Sequence, residues 1–84
     1  MKLTPAWLLR NGFLLKEGIF ENIVLPYYCR NSVCLFFNGS PPENTFLLGY
    51  GFVFDGKYYC ATFQWIDTVE PLEVAYPILT GKNL

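Results

Sequence analysis

The sequence predicts a small α+β domain: an antiparallel sheet of four to five strands, with a short N-terminal helix and a C-terminal helix packed on it. Three observations lead there. Thr4-Pro5 followed by Trp7-Leu8-Leu9 has the chemistry of a capped helix start. Asp55-Gly56 separates two long apolar runs, which is the strongest short-range hairpin signal. Apolar residues at helical spacing close the chain. At 84 residues, the chain is long enough for one domain, spanning 1–84, and too short for two.

In chain order, Thr4 reads as the N-cap and Pro5 as the first helical residue, with Gly12 placed to end the helix. Trp7 and Leu8 should pack onto the sheet. Phe13–Leu15 reads as a short strand closed by a turn at Lys16-Glu17-Gly18, and Ile19 to Leu25 as weaker strand material. Pro26 cannot donate to a ladder, so it belongs at a sheet edge or bend. Tyr27–Cys29 and Ser32–Phe37 flank Arg30-Asn31 and read as a hairpin. Asn38–Asn44, with the sequence NGSPPEN, has turn chemistry throughout and reads as a loop.

The best-specified element is the pair Thr45–Phe54 and Lys57–Ile66. A two-residue turn at Asp55-Gly56 sets Phe54 against Lys57, Phe52 against Tyr59, Tyr50 against Ala61, Leu48 against Phe63 and Phe46 against Trp65. The opposite face pairs Val53 with Tyr58, Gly51 with Cys60, Gly49 with Thr62 and Leu47 with Gln64. The first face is almost wholly aromatic or aliphatic, so alternation assigns it to a core or an interface. Phe52 and Phe63 are then core residues whose truncation to Ala costs about 3–5 kcal/mol.

Asp67 or Thr68 should cap the last helix, with Glu70 and Glu73 favourably placed on its dipole. Leu72, Ala75, Tyr76 and Leu79 form its apolar stripe, and Gly81 ends it. Pro71 is tolerated in the first turn. Pro77 removes a helical hydrogen bond and should kink or shorten the helix.

Composition narrows the function. Hydrophobic residues make up 52% of the chain and aromatic ones 19%, against 15% charged. That aromatic share exceeds what one small core hides, so some of it should meet a second chain or a ligand. The net charge is −1 and the six cations are scattered singly, which argues against binding nucleic acid through its phosphates. The longest apolar run, Cys34–Phe37, is strand-sized, no stretch reads as a membrane span or signal peptide, and the expected compartment is the cytoplasm.

Catalytic chemistry has little to stand on. The chain has no histidine, which removes every His-based triad, metal site and pH switch. Cys29, Cys34 and Cys60 are odd in number and carry no CxxC spacing, so they read as buried or half-buried thiols rather than a disulfide framework or a zinc site. Gly49-Tyr50-Gly51 lacks the lysine and the strand-to-helix context of a phosphate loop and reads as sheet glycine. Asp67, Glu70 and Glu73 sit where helix N-termini carry acids, which explains them without acid–base catalysis. The expectation is a protein that is not an enzyme and takes no cofactor and no metal.

Tyr27-Tyr28 and Tyr58-Tyr59 are adjacent pairs on strands, so one tyrosine of each faces outward. Tyr27, Tyr28 and Tyr58 are the candidate partner-binding residues, because Tyr combines a large stiff ring with a polar tip.

The two ends carry a resemblance. Leu3-Thr4-Pro5-Ala6-Trp7-Leu8-Leu9 with Gly12-Phe13, and Tyr76, Leu79, Thr80, Gly81 and Leu84, resemble the start and the Leu-Tyr-x-x-Leu-Thr-Gly-x-x-Leu end of short uncharacterised proteins from Bacteroidota and their phages and mobile elements. Ala75 stands where that pattern has Leu, and Pro71 and Pro77 depart from it. The resemblance implies a small bacterial or phage accessory protein and carries no activity with it.

These readings favour a protein-binding module; inhibition of a host defence or regulatory protein is the role that the phage resemblance suggests. A nucleotide-like ligand sequestered between subunits and a structural or assembly component are the alternatives. Few charges cover so apolar a chain, so self-association as a homodimer or higher oligomer is expected, with Tyr58 or the Tyr27–Tyr28 pair near the contact.

Overall fold

The computed structural model of the chain describes residues 1–20, 23–37 and 45–84; the side chains of Ile19, Phe20, Ile23 and Tyr58 lie outside that description. The loop expected at Asn38–Asn44 also falls outside the described residues. The order of elements is α1 (Pro5–Arg10), β1 (Leu14–Phe20), β2 (Ile23–Arg30), β3 (Val33–Phe37), β4 (Phe46–Phe54), β5 (Lys57–Ile66) and α2 (Val69–Thr80). The strands form one antiparallel sheet in the order β1-β2-β3-β4-β5. This is the expected α+β arrangement.

Helix α1 starts as its sequence dictates. The Thr4 hydroxyl accepts a hydrogen bond from the Trp7 amide at 3.1 Å, Pro5 opens the helix, and Gly12 takes a φ of 83° just beyond its end. Leu8 is fully buried and Trp7 packs on the core beside it.

The β1–β2 region corrects the expected turn at Lys16-Glu17-Gly18. Strand β1 runs straight through those residues, with Glu17 opposite Pro26 and Gly18 opposite Leu25. Pairing along the whole of β2 outweighs the local turn tendency of three residues. Pro26 lies one residue beyond the last described β2–β3 pair, Tyr27 with Phe36, where β2 is paired on one side among the described residues. A residue with no N–H is accommodated there.

The β2–β3 turn is at Asn31-Ser32, one residue later than expected. Both take positive φ, 50° and 70°, which the favoured two-residue hairpin turn requires and Asn tolerates well. Asp55 and Gly56 do the same in the β4–β5 turn, at 52° and 74°.

From that turn the β4–β5 register follows expectation through Gly49 opposite Thr62 and then departs from it. Leu48 faces Gln64 and Phe46 faces Ile66, with a bulge at Leu48/Gly49 that leaves Phe63 as the extra residue of β5. The slip turns Trp65 to the other face, opposite Leu47.

Both helices lie on one face of the sheet. The core there consists of Leu3, Leu8, Phe13, Val33, Leu35, Phe46, Leu48, Ile66, Val69, Leu72 and Tyr76. Phe52 and Phe63 are not core residues: they are 43% and 52% exposed, because the helices cover only the near part of β4 and β5. Pro77 does not end α2, which continues to Thr80 and closes on Gly81 in the left-handed conformation. Thr68 is the N-cap residue but makes no side-chain cap bond. Instead the chain's first residues run beside it: Lys2 bridges to Thr68, and the Val69 amide donates to the Met1 carbonyl at 2.9 Å. The Met1 ammonium, 2.6 Å from Glu70, holds that exposed carboxyl below the usual carboxylate range.

Candidate functional site

Residues at alternate positions of each strand face opposite ways, so the registers assign every side chain to one of two surfaces. The face carrying the helices has an apolar zone that they leave open. The face without helices carries the cysteines.

On the helix face, a groove of about 440 Å³ runs between α2 and the far strands. Leu48, Phe63, Pro71, Val74, Ala75 and Leu79 are among its lining residues, with Ile78 beside them and Gln64 as the polar member. Val74 and Ile78 point away from the core, 65% and 77% exposed. The Phe63 bulge brings its ring toward this groove. The apolar zone continues along the same face to the hairpin tip. Tyr59 stacks on Phe52 with ring centroids 5.7 Å apart, and Phe54 meets Tyr59 edge-on at 6.4 Å. All three are exposed. Among the described residues, strand β5 is also an edge of the sheet, with no strand paired along its outer row of backbone groups.

The helix-free face holds the three cysteines, which are reduced. Cys29 and Cys34 stand opposite each other on β2 and β3, and the Cys34 thiol donates to Cys29 Sγ at 3.8 Å. Cys60 leans over Gly49 from β5, where a Cβ on that glycine would meet its sulfur at 2.9 Å. Cys34, buried between them, is the neighbour both share. The hydrogen bond from Cys34, helped by Lys16, lowers the Cys29 thiol to about 6 against the opposing effect of burial. Burial raises the Cys60 thiol. Among the described residues, no group of three or more His, Cys, Asp or Glu side chains is arranged to hold a metal ion.

The tyrosines singled out by sequence are not brought together. Tyr27 lies on the helix-free face, half-buried, with its ring 5.4 Å from that of Phe36. Burial foremost, then the neighbouring thiols, raises its hydroxyl above the ordinary range. Tyr28 points the other way and packs edge-on against Phe46 at 6.3 Å, as part of the core periphery. Tyr58 pairs with Val53 near the hairpin tip, far along β4 from Leu47, the residue aligned through Phe36 with Tyr27. Its side chain lies outside the described residues.

Sequence reasoning missed the α2 groove and the thiol pair. The groove's signal was Val74 and Ile78, apolar residues off the buried stripe of α2. The thiol pair's signal was Asn31-Ser32, the better turn dipeptide, about which Cys29 and Cys34 are symmetric.

No family model, no curated protein and no solved structure gives a match to this chain. No helix among the described residues is long and apolar enough to cross a membrane.

Proposed function

We propose that this protein is a non-enzymatic protein-binding module that works through the apolar surface formed by α2 and β5. One observation carries the reading: Val74 and Ile78, both exposed, converge with Phe63 on a groove whose lining is almost wholly apolar. Large contiguous apolar surface on a small domain is costly in water and characteristic of interaction sites. The stacked aromatics of the hairpin tip extend that surface, and aromatic residues are enriched at the centres of interfaces. An amphipathic segment laid in the groove, or a strand added to the edge of β5, would cover it. The occupant is a second copy of this chain or a bacterial protein; the resemblance of the chain's ends to phage and mobile-element proteins favours a host defence or regulatory protein.

Val74→Glu and Ile78→Glu test the reading without touching the buried stripe. The wild-type protein should sediment as an oligomer heavier than its 9.7 kDa chain, or retain a defined partner from co-expression. Either behaviour should be lost in the variants while the melting temperature stays near that of the parent. A monomeric wild type whose retained proteins are unaffected by both charges would refute the proposal.

A further inference from the structure

We propose that Cys29 and Cys34 form a thiol–disulfide exchange site that reacts with a small anionic disulfide of the glutathione type and closes to a reversible cross-strand bond. The register makes the pair. Directly opposed residues on antiparallel strands have Cα atoms about 4.5–5.5 Å apart, within the span that a disulfide bridges. The two sulfurs already lie 3.8 Å apart. Cys60 is excluded as a partner for either. It sits on β5, two strands from Cys34, and strands about 4.8 Å apart place those Cα atoms well past the roughly 7 Å limit.

The two thiols are unequal in the way that exchange requires. Cys29 is half-buried and opens on a cavity of about 430 Å³ that Lys16, Arg30, Asn31 and Ser32 help to line. Cys34 is 1% exposed and is not among the residues that line that cavity. The Cys34 thiol also lies 3.5 Å from the Ser32 carbonyl. Cys29 is therefore the attacking thiolate and Cys34 the resolving thiol. Lys16 stands on the same face as Cys29 and favours a disulfide that carries carboxylates, whereas the Arg30 guanidinium is turned to the Asn11 carbonyl and the Tyr76 ring.

The steps balance. The Cys29 thiolate attacks one sulfur of the oxidised glutathione; a mixed disulfide forms and one glutathione thiolate leaves. Cys34 then gives up its proton and attacks Cys29 Sγ, which expels the second glutathione as thiolate. The protein loses two protons and two electrons, and one glutathione disulfide takes them up to become two glutathione thiols. Excess reduced glutathione reverses both steps.

The reduced full chain is incubated with oxidised glutathione and followed by intact-mass and peptide analysis. The expected product is lighter by two hydrogens, and Cys60 remains open to alkylation. Trypsin cuts after Arg30, so the Cys29 and Cys34 peptides should stay joined until reduced. Cys34→Ser, with Cys34→Ala as a second variant in case the buried hydroxyl impairs folding, should halt at a stable glutathione adduct on Cys29. Lys16→Gln should slow the reaction with oxidised glutathione several-fold more than that with neutral hydroxyethyl disulfide. Absence of reaction, a bond to Cys60, or glutathione accumulating first on Cys60 would overturn the site. Equal slowing by Lys16→Gln with both disulfides would overturn the anionic preference.

Discussion

The side-chain amide of Asn31 donates a hydrogen bond to the Tyr76 hydroxyl at 2.7 Å, which ties the β2–β3 turn to α2 across 45 residues of chain. The Tyr76 ring is fully buried, with the Phe13 ring edge-on at 6.2 Å and the Arg30 guanidinium 5.1 Å from its centroid. Tyr76→Phe keeps the ring and removes the hydroxyl, so it should cost about 0.5–1.5 kcal/mol. Tyr76→Ala empties the site and should cost about 3–5 kcal/mol, enough to unfold a domain of modest stability. Urea denaturation of both variants checks the ordering; equal losses would mean that the hydroxyl, not the ring, holds the helix.

Phe46 should be far more sensitive than the aromatics further along the hairpin. It is fully buried, and Phe37 and Tyr28 meet its ring at 5.5 and 6.3 Å. Phe46→Ala should cost about 3–5 kcal/mol. Phe52→Ala and Phe63→Ala remove rings that are already about half in water and should cost roughly 1 kcal/mol or less. Thermal melts of the three variants decide the matter, and a Phe63→Ala loss matching that of Phe46→Ala would place the ring in a core it does not occupy here.

The fold was legible where local chemistry decides structure. Thr4-Pro5 caps α1, Asp55-Gly56 sets a turn, and Gly81 ends α2, each through backbone conformations that few residues favour. The readings failed where distant pairing decides. Lys16-Glu17-Gly18 is turn-prone alone but is held extended by Leu25, Pro26 and Tyr27 opposite it. The Phe63 bulge leaves no mark that a two-residue alternation detects. Which part of the sheet the helices cover depends on packing of the whole chain, so a hydrophobic face was visible but its open end was not. The thiol pair was lost to a single residue: a turn at Arg30-Asn31 sets Cys29 against Ser32, whereas the turn at Asn31-Ser32 sets it against Cys34.

Alkylation should separate the cysteines by pH. The Cys34 thiol donates to the Cys29 sulfur and lowers that thiol to about 6, while burial pushes Cys60 above its ordinary value of 9.0. Iodoacetamide labels the thiolate, so Cys29 labelling should rise with a midpoint at about pH 6 and Cys60 labelling at higher pH than that of an ordinary thiol. The linked stability follows in sign. A thiol depressed on folding stabilises the native state fully above its unfolded value of 9.0, and that contribution is lost as pH falls through about 6. The urea midpoint of the wild type should therefore rise between about pH 6 and pH 9 relative to Cys29→Ser. Parallel pH profiles for the two proteins would show that Cys29 is not depressed.

Gly49→Ala should be destabilising because of what lies above the glycine. A Cβ there would come within 2.9 Å of Cys60 Sγ, 3.1 Å of the Ala61 carbonyl oxygen and 3.3 Å of the Phe36 ring. The Ala61 carbonyl belongs to the β4–β5 ladder and has little room to move. The sulfur sits on a single rotatable bond, but leaving this position takes Cys60 away from Cys34. Such overpacking costs about 1–3 kcal/mol. Combining Gly49→Ala with Cys60→Ala removes the closest of the three contacts and keeps the other two. The double variant should recover part of the loss, giving a coupling that is favourable relative to the sum of the single changes. Additive effects in denaturation would mean that the carbonyl and the Phe36 ring, not the leaning thiol, are what require glycine at this position.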